Sequence, residues 1–198
     1  METIESLHAF WFGGNADDAA ADRQSTLWWG KSPVTDAEVA ARFAPLVEAA
    51  RAGTLNGWAG TPQGALALIL LTDQLPRNIY RGSAAAFASD PIARAWTVAG
   101  LEQGLDRQLN PIERVFFYLP LEHAESMADQ DRAVSLYTRL FQEAPPAQAE
   151  RYQNFLTFAQ RHRRVIERFG RFPHRNAIIG RESTPEELSF LQEAGSSF

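Results

Sequence analysis

The sequence predicts an all-α protein, and three observations carry that prediction. Cap residues placed before a proline recur along the chain. Apolar residues recur at three- and four-residue spacings. No Asn-Gly or Asp-Gly turn sits between runs of alternating apolar and polar residues, so strand signals are missing. Read in order, a first helix spans 3–12 and ends on Phe10, Trp11 and Phe12 of the string FWFG. The second, 35–51, opens on Thr35 with Glu38 three residues later, a capping-box pattern. Val39, Phe43, Leu46, Val47 and Ala50 then fall on one stripe. Thr61-Pro62 starts a helix over 62–74 that is apolar almost all round and is expected at the centre of the fold. Asp90-Pro91 starts 90–106, and Asn110-Pro111, with Glu113 in support, starts 111–126. A helix follows at 129–143. The stretch 147–169 carries Tyr152, Phe155, Leu156, Ala159, Val165, Ile166 and Phe169 at helical spacing. Thr184-Pro185-Glu186-Glu187 opens the last helix, 184–194, with acids in the first turn to oppose the dipole. About eight helices in antiparallel pairs result, with short polar connections and no low-complexity linker, so residues 1–198 read as one helical domain.

Composition narrows the function. A chain of 198 residues with 45% hydrophobic content needs no metal or disulfide to fold. There are no cysteines, which excludes thiolate nucleophiles, zinc ribbons and iron–sulfur ligation and fits a reducing cytoplasm. A formal net charge of −5 argues against a nucleic-acid coat. The longest apolar run, ALALILL at 65–71, is too short to span a bilayer, and the start shows no signal-peptide pattern. Cytoplasmic location is the expectation.

Five strings resemble one known family. They are FWFG at 10–13, LLTDQLPRNIYRG at 70–82, FFYLPLEHAE at 116–125, DQDRAV at 129–134 and RFGRFPHRNAIIGRESTPEELSFL at 168–191. Together they make the chain similar, along essentially its whole length, to the bacterial family known as domain of unknown function 924. The resemblance implies a tetratricopeptide-like arrangement of helix pairs. It implies no activity and carries over no catalytic residues.

The candidate chemistry is therefore read from the residues. One cluster, Asp73, Gln74, Arg77, Asn78 and Arg81, follows the apolar helix at Pro76, which is expected to interrupt helical geometry at Leu75. A second is Glu122-His123-Ala124-Glu125, where two carboxylates three residues apart would share a helical face after Pro120. His123 has the side chain of a general acid or base near neutral pH. A third lies in 161–181, with seven arginines against the single acid Glu167. Arg161, Arg164 and Arg168 suit a helix C-terminus, which Gly170 would cap. Beyond them, Pro173 is expected to enforce an extended segment presenting Arg171, His174, Arg175 and Asn176, with Arg181 to follow. PRNIYRG at 76–82 echoes PHRNAIIGR at 173–181, although strings this short also recur by chance.

Each cluster also has a structural reading, as caps and salt bridges. If the three converge, they form one polar pocket with Glu122 and Asp73 orienting the arginines and positive charge left over for a carboxylate or phosphate. The expected partner is a small anionic molecule held by Arg77, Arg175, His174 and Asn176. One alternative is an enzyme with His123 or His174 as general acid or base. The other is a protein-interaction module whose groove takes an acidic peptide. No cofactor is expected, and no His/Glu spacing of the metal-binding kind supports a metal. Phe10, Trp11, Phe12, Trp28 and Trp29 read as core anchors, or as an aromatic ligand wall.

Overall fold

The computed structural model describes residues 2–17 and 19–196. Every regular element among them is helical, as the sequence predicts. In chain order they are α1 (Ile4–Phe12), α2 (Ala20–Trp29), α3 (Pro33–Arg51), α4 (Pro62–Ile69), α5 (Leu75–Ile79), α6 (Asp90–Glu102), α7 (Pro111–Glu122), α8 (Met127–Glu143), α9 (Ala149–Phe169), α10 (Asn176–Ile179) and α11 (Pro185–Phe190). None of the described helices is long and apolar enough to cross a membrane. α8 packs chiefly on α9 and α7, as the short connections between them require. That neighbour-on-neighbour order is compatible with the helix-pair array that the resemblance implies.

Most start signals act as read. The Thr61 hydroxyl accepts the Gly64 N–H at 3.0 Å. The Glu113 carboxylate accepts the Asn110 N–H at 2.8 Å. Thr184 and Glu187 close a reciprocal box at 3.2 and 2.7 Å. Two signals do otherwise. α3 begins earlier, at Pro33, where the Ser32 hydroxyl accepts the Thr35 N–H at 3.3 Å. The Ser-Pro pair outcompetes Thr35 because proline is preorganised for the first helical position. At the start of α6 no side chain caps the backbone, and the Asp90 carboxylate is engaged elsewhere. α2 escapes the sequence because no side chain caps it and only Ala20 and Trp28 of its residues are buried.

The largest local departure surrounds Pro76. The helix of α4 does not stop at Gln74. Leu75 is helical, at φ −60° and ψ −35°, and the chain runs on into α5. Proline lacks the N–H for an ordinary helical bond, and its ring clashes with the carbonyl four residues back. The chain widens instead into a π turn at Leu70–Gln74, in which the Leu75 N–H donates to the Leu70 carbonyl. That wide turn carries Asp73, which is fully buried. Pro173 also behaves differently from expectation. Only Phe172 before it is extended, at φ −92° and ψ 106°; Pro173–Arg175 is a 3₁₀ turn leading into α10. A fixed φ near −65° suits the start of a helix as well as an extended strand.

Phe116 of α7 sits at the centre of the core. Trp11, Phe12 and Trp28 surround it with ring centroids 5.5, 5.6 and 4.6 Å away. Trp29 stacks over it at 5.9 Å yet stays half exposed. The aromatic strings therefore mainly build core. A separate small cluster of Val165, Ile166 and Phe172, with Phe169 and Phe190 against it, docks the C-terminal segment onto α9. α6 approaches α7 closely enough that a Cβ at Gly100 would lie 2.5 Å from Cζ of Phe117. Gly100→Ala is therefore expected to destabilise by about 1–3 kcal/mol through overpacking, against about 1 kcal/mol gained in helix propensity. Urea denaturation checks this, and a variant as stable as the parent would show that the contact yields.

Candidate functional site

The polar clusters converge at the junction of the π turn, α5, α6, the end of α7 and the turn before α10. The centre is a buried carboxylate–imidazole pair. Asp73 Oδ1 lies 2.7 Å from His123 Nδ1, across 50 residues of sequence. His123 stands just beyond the last turn of α7, and its side chain is 17% exposed. No group among the described residues bonds its Nε2, so that nitrogen is open to what enters from outside. The Gln74 side-chain amide donates to the other Asp73 oxygen at 2.5 Å. Burial opposes the charge on Asp73, but His123 and Arg77 outweigh it and hold the carboxyl at about 2.

Two arginines share one acid beside this pair. Arg77 reaches Asp90 at 2.8 Å and Arg175 reaches it at 3.1 Å. Both guanidinium carbons lie over the ring of Phe87, at 4.6 and 4.8 Å. Arg77 also donates to the Ala86 carbonyl and sits 3.6 Å from Asp73. The echo between 76–82 and 173–181 thus has a spatial counterpart: Arg77 and Arg175, each from its own copy, flank one ring and one carboxylate. Burial raises the Asp90 carboxyl above its ordinary value. It also depresses the Arg175 guanidinium to about 10, and Arg175 Nε is buried with no hydrogen-bond partner. Charged groups displaced in opposite directions within one cluster are a pattern common at functional sites.

An open cleft of about 430 Å³ lies over these groups. Phe87, Pro91 and Pro120 give it apolar walls, and Asp90, His123 and Arg175 face it. Arg94 and Asp129, joined at 2.7 and 2.9 Å, form part of its rim. The charge surplus expected from the sequence is absent. Asp73, Asp90, Glu125 and Asp129 match Arg77, Arg94, Arg175 and Arg181 four to four. Asp90 and Asp129, which sequence reasoning did not count, remove it. Anion affinity here must come from the Arg175 guanidinium that lines the cleft and from His123.

Several expected site residues are engaged elsewhere. Asn78 and Arg81 both bond Asp36, at 2.6 to 2.8 Å, on a different face. Glu122 does not orient an arginine; its Oε1 lies 2.9 Å from His162 Nδ1. Glu122 and Glu125 share no helical face, because α7 ends at Glu122. Glu125 accepts from Arg181 at 2.6 and 2.8 Å and from the Phe172 N–H at 2.8 Å, so it pins the C-terminal segment. Burial opposes charge on Glu125, but the Arg181 bonds keep its carboxyl below the ordinary value. Arg171 takes Glu187 through two bonds at 2.6 and 2.7 Å. Asn176 is fully buried and bonds Ser183 and Glu187, and it does not line this cleft. His174 packs against Phe172 with centroids 5.6 Å apart. Burial, then the neighbouring Arg175 charge, depresses its imidazole to about 3, which makes it a poor general acid or base near neutral pH. Among the described residues no cluster of three or more His, Asp or Glu is arranged to hold a metal ion.

The missed residues, Phe87, Asp90 and Asp129, had one usable signal between them. Two echoing Arg-Asn strings imply two arginines that need acceptors, and Asp90 lies between the strings in sequence. Its place before Pro91 hid it, since that is also the pattern of a helix cap.

Comparison with known proteins adds a family and a fold. The model of a bacterial protein family of unknown function, DUF924, matches residues 7–195. The solved structure of a protein of unknown function from Agrobacterium tumefaciens is similar, with 38% sequence identity and a TM-score of 0.76. The match covers 89% of this chain and 100% of that one. No curated protein matches.

Proposed function

Because the chain belongs to the bacterial family DUF924, whose function is unknown, we propose a function from the chemistry of the cleft: it binds a small carboxylate or phosphate compound against Arg175 and exchanges a proton with it at His123. The observation that carries this reading is the Asp73–His123 pair, with Nδ1 on a fully buried carboxylate and Nε2 unbonded. Asp73 fixes the ring and favours the tautomer with the proton on Nδ1, which leaves the Nε2 lone pair to accept a proton. The Arg175 guanidinium, which lines the cleft, supplies a charged donor beside it. Asp90 holds the Arg175 guanidinium in place, and the Phe87 ring flanks it. The reaction class is proton transfer on an anionic substrate within the cleft, with Asp73 as positioning residue.

A thermal-shift screen of small carboxylates and phosphates against the parent and His123→Gln tests it. A true ligand at about 100-fold excess over its Kd stabilises by roughly 2.7 kcal/mol, a shift of several degrees. For a compound so identified, His123→Gln is expected to keep binding while losing turnover by about 10²–10⁴-fold. Binding kept with no turnover in either protein reduces the cleft to a binding site. No shift with any anion overturns the reading.

A further inference from the structure

On another face, where α7 and α8 meet the 3₁₀ turn Asp106–Gln108, lies a second cleft of about 560 Å³ lined by Arg107, Arg114, Arg139 and Glu143. We infer that this cleft is a binding site for a phosphate group, on an inorganic phosphate or a small phosphate ester. It is independent of the Asp73–His123 site and uses none of its residues.

The first argument is the state of the arginines. Through the rest of the described chain nearly every guanidinium has a carboxylate or carbonyl acceptor. Arg107 and Arg139 have none, although both line this cleft. Arg139 and Glu143 are four residues apart on α8 and would ordinarily pair. Glu143 instead accepts Arg114 Nη1 at 3.0 Å, across from α7, which leaves Arg139 without its local partner.

The second argument is that Arg114 is built in place. Its Nε donates to the Tyr118 hydroxyl at 3.0 Å, and that hydroxyl donates to the buried Asp106 carboxylate at 2.7 Å. Burial pushes the Tyr118 phenol well above its ordinary value, so it stays a donor to Asp106 across the physiological range. The Arg114 side chain is 12% exposed, and its Nη2 is unbonded. A guanidinium tethered through Nε and Nη1 keeps its orientation at little entropic cost when Nη2 meets an anion.

Charge completes the case. Three guanidiniums face one carboxylate within the cleft, and the second acid, Asp106, lies behind Tyr118. A phosphate supplies two or three acceptor oxygens for Arg107, Arg139 and the free Nη2 of Arg114. A monocarboxylate offers only two, so phosphate is the better match.

The test is titration calorimetry with inorganic phosphate and, in parallel, glycerol phosphate, on the parent, Arg107→Gln/Arg139→Gln, and Arg175→Met, which removes the first cleft's anion anchor. Both replaced arginines are exposed and make no internal bond, so the double variant folds; unchanged melting temperature checks that. The expected result is saturable binding to the parent that weakens at least tenfold in the double variant, falls with added salt, and is unchanged in Arg175→Met. Binding of the ester but not of inorganic phosphate narrows the ligand to esters and keeps the site. Absence of binding in the parent, or equal binding in the double variant, overturns the inference. Phosphate binding lost only in Arg175→Met would assign it to the first cleft and overturn this one.

Discussion

Asp90→Ala is expected to be the most damaging single substitution at the candidate site. Among the described residues Asp90, at 3.1 Å, is the only carboxylate in contact with Arg175, which is almost fully buried. Removing that acid leaves a buried guanidinium facing Phe87 and Phe172 with no described carboxylate in contact, and costs Arg77 its contact at 2.8 Å. Breaking one side of a buried ion pair costs about 3–5 kcal/mol, which for a chain of this size lowers the melting temperature by roughly 6–20 °C. The double variant Asp90→Ala/Arg175→Met removes the stranded charge and should recover much of the loss. If the single variant melts like the parent, water reaches Arg175 and the hub is not buried in solution. If the double variant is worse than the single, the cost lies in packing rather than in charge.

Acid should destabilise the protein from near pH 6.5 downward, chiefly through His174. Burial and Arg175 depress its imidazole to about 3 in the fold, against about 6.5 in the unfolded chain. Between those values the unfolded chain binds the extra proton and the fold does not. Stability therefore falls with falling pH, by up to about 1.4 kcal/mol per pH unit, and levels off only below about 3. Above 6.5 both states are neutral at this position and the penalty is absent. Asp73 adds to the loss lower down. Its folded carboxyl lies near 2, so its contribution is present above the unfolded value near 4 and disappears as pH falls towards 2. Urea unfolding at pH 7.5 and 5.0 measures the first effect. His174→Gln should flatten the difference by roughly 2 kcal/mol over the 1.5 units below 6.5. An unchanged slope in that variant would show that another group takes up the acid.

What could be read directly was local. Of the predicted stripes, Val39, Phe43, Val47 and Ala50 are buried, as are Tyr152, Leu156, Ala159, Val165 and Ile166 on α9, while Leu46, Phe155 and Phe169 are half-buried. These hold because helical period and caps depend on residues within one or two turns. α2 was hidden for the same reason: it has no cap and a thin apolar stripe, so its tertiary contacts make it. Pro76 and Pro173 were read too rigidly. A π turn absorbs the first, and a 3₁₀ turn starts from the second.

The sequence by itself therefore determined the helical class, most helix starts and the central apolar helix, and it named Asp73, Arg77, His123 and Arg175 among its candidate polar groups. Only the tertiary structure decided which of them pair. His123 takes Asp73 from 50 residues away, and Arg175 takes Asp90 from 85 residues away, while Glu122 goes to His162. The reason is physical. Helical bonds are satisfied within four residues, so their pattern is written along the chain. A buried charge is satisfied by whichever opposite charge or dipole the packed helices bring within about 3 Å, and no one-dimensional spacing encodes that distance.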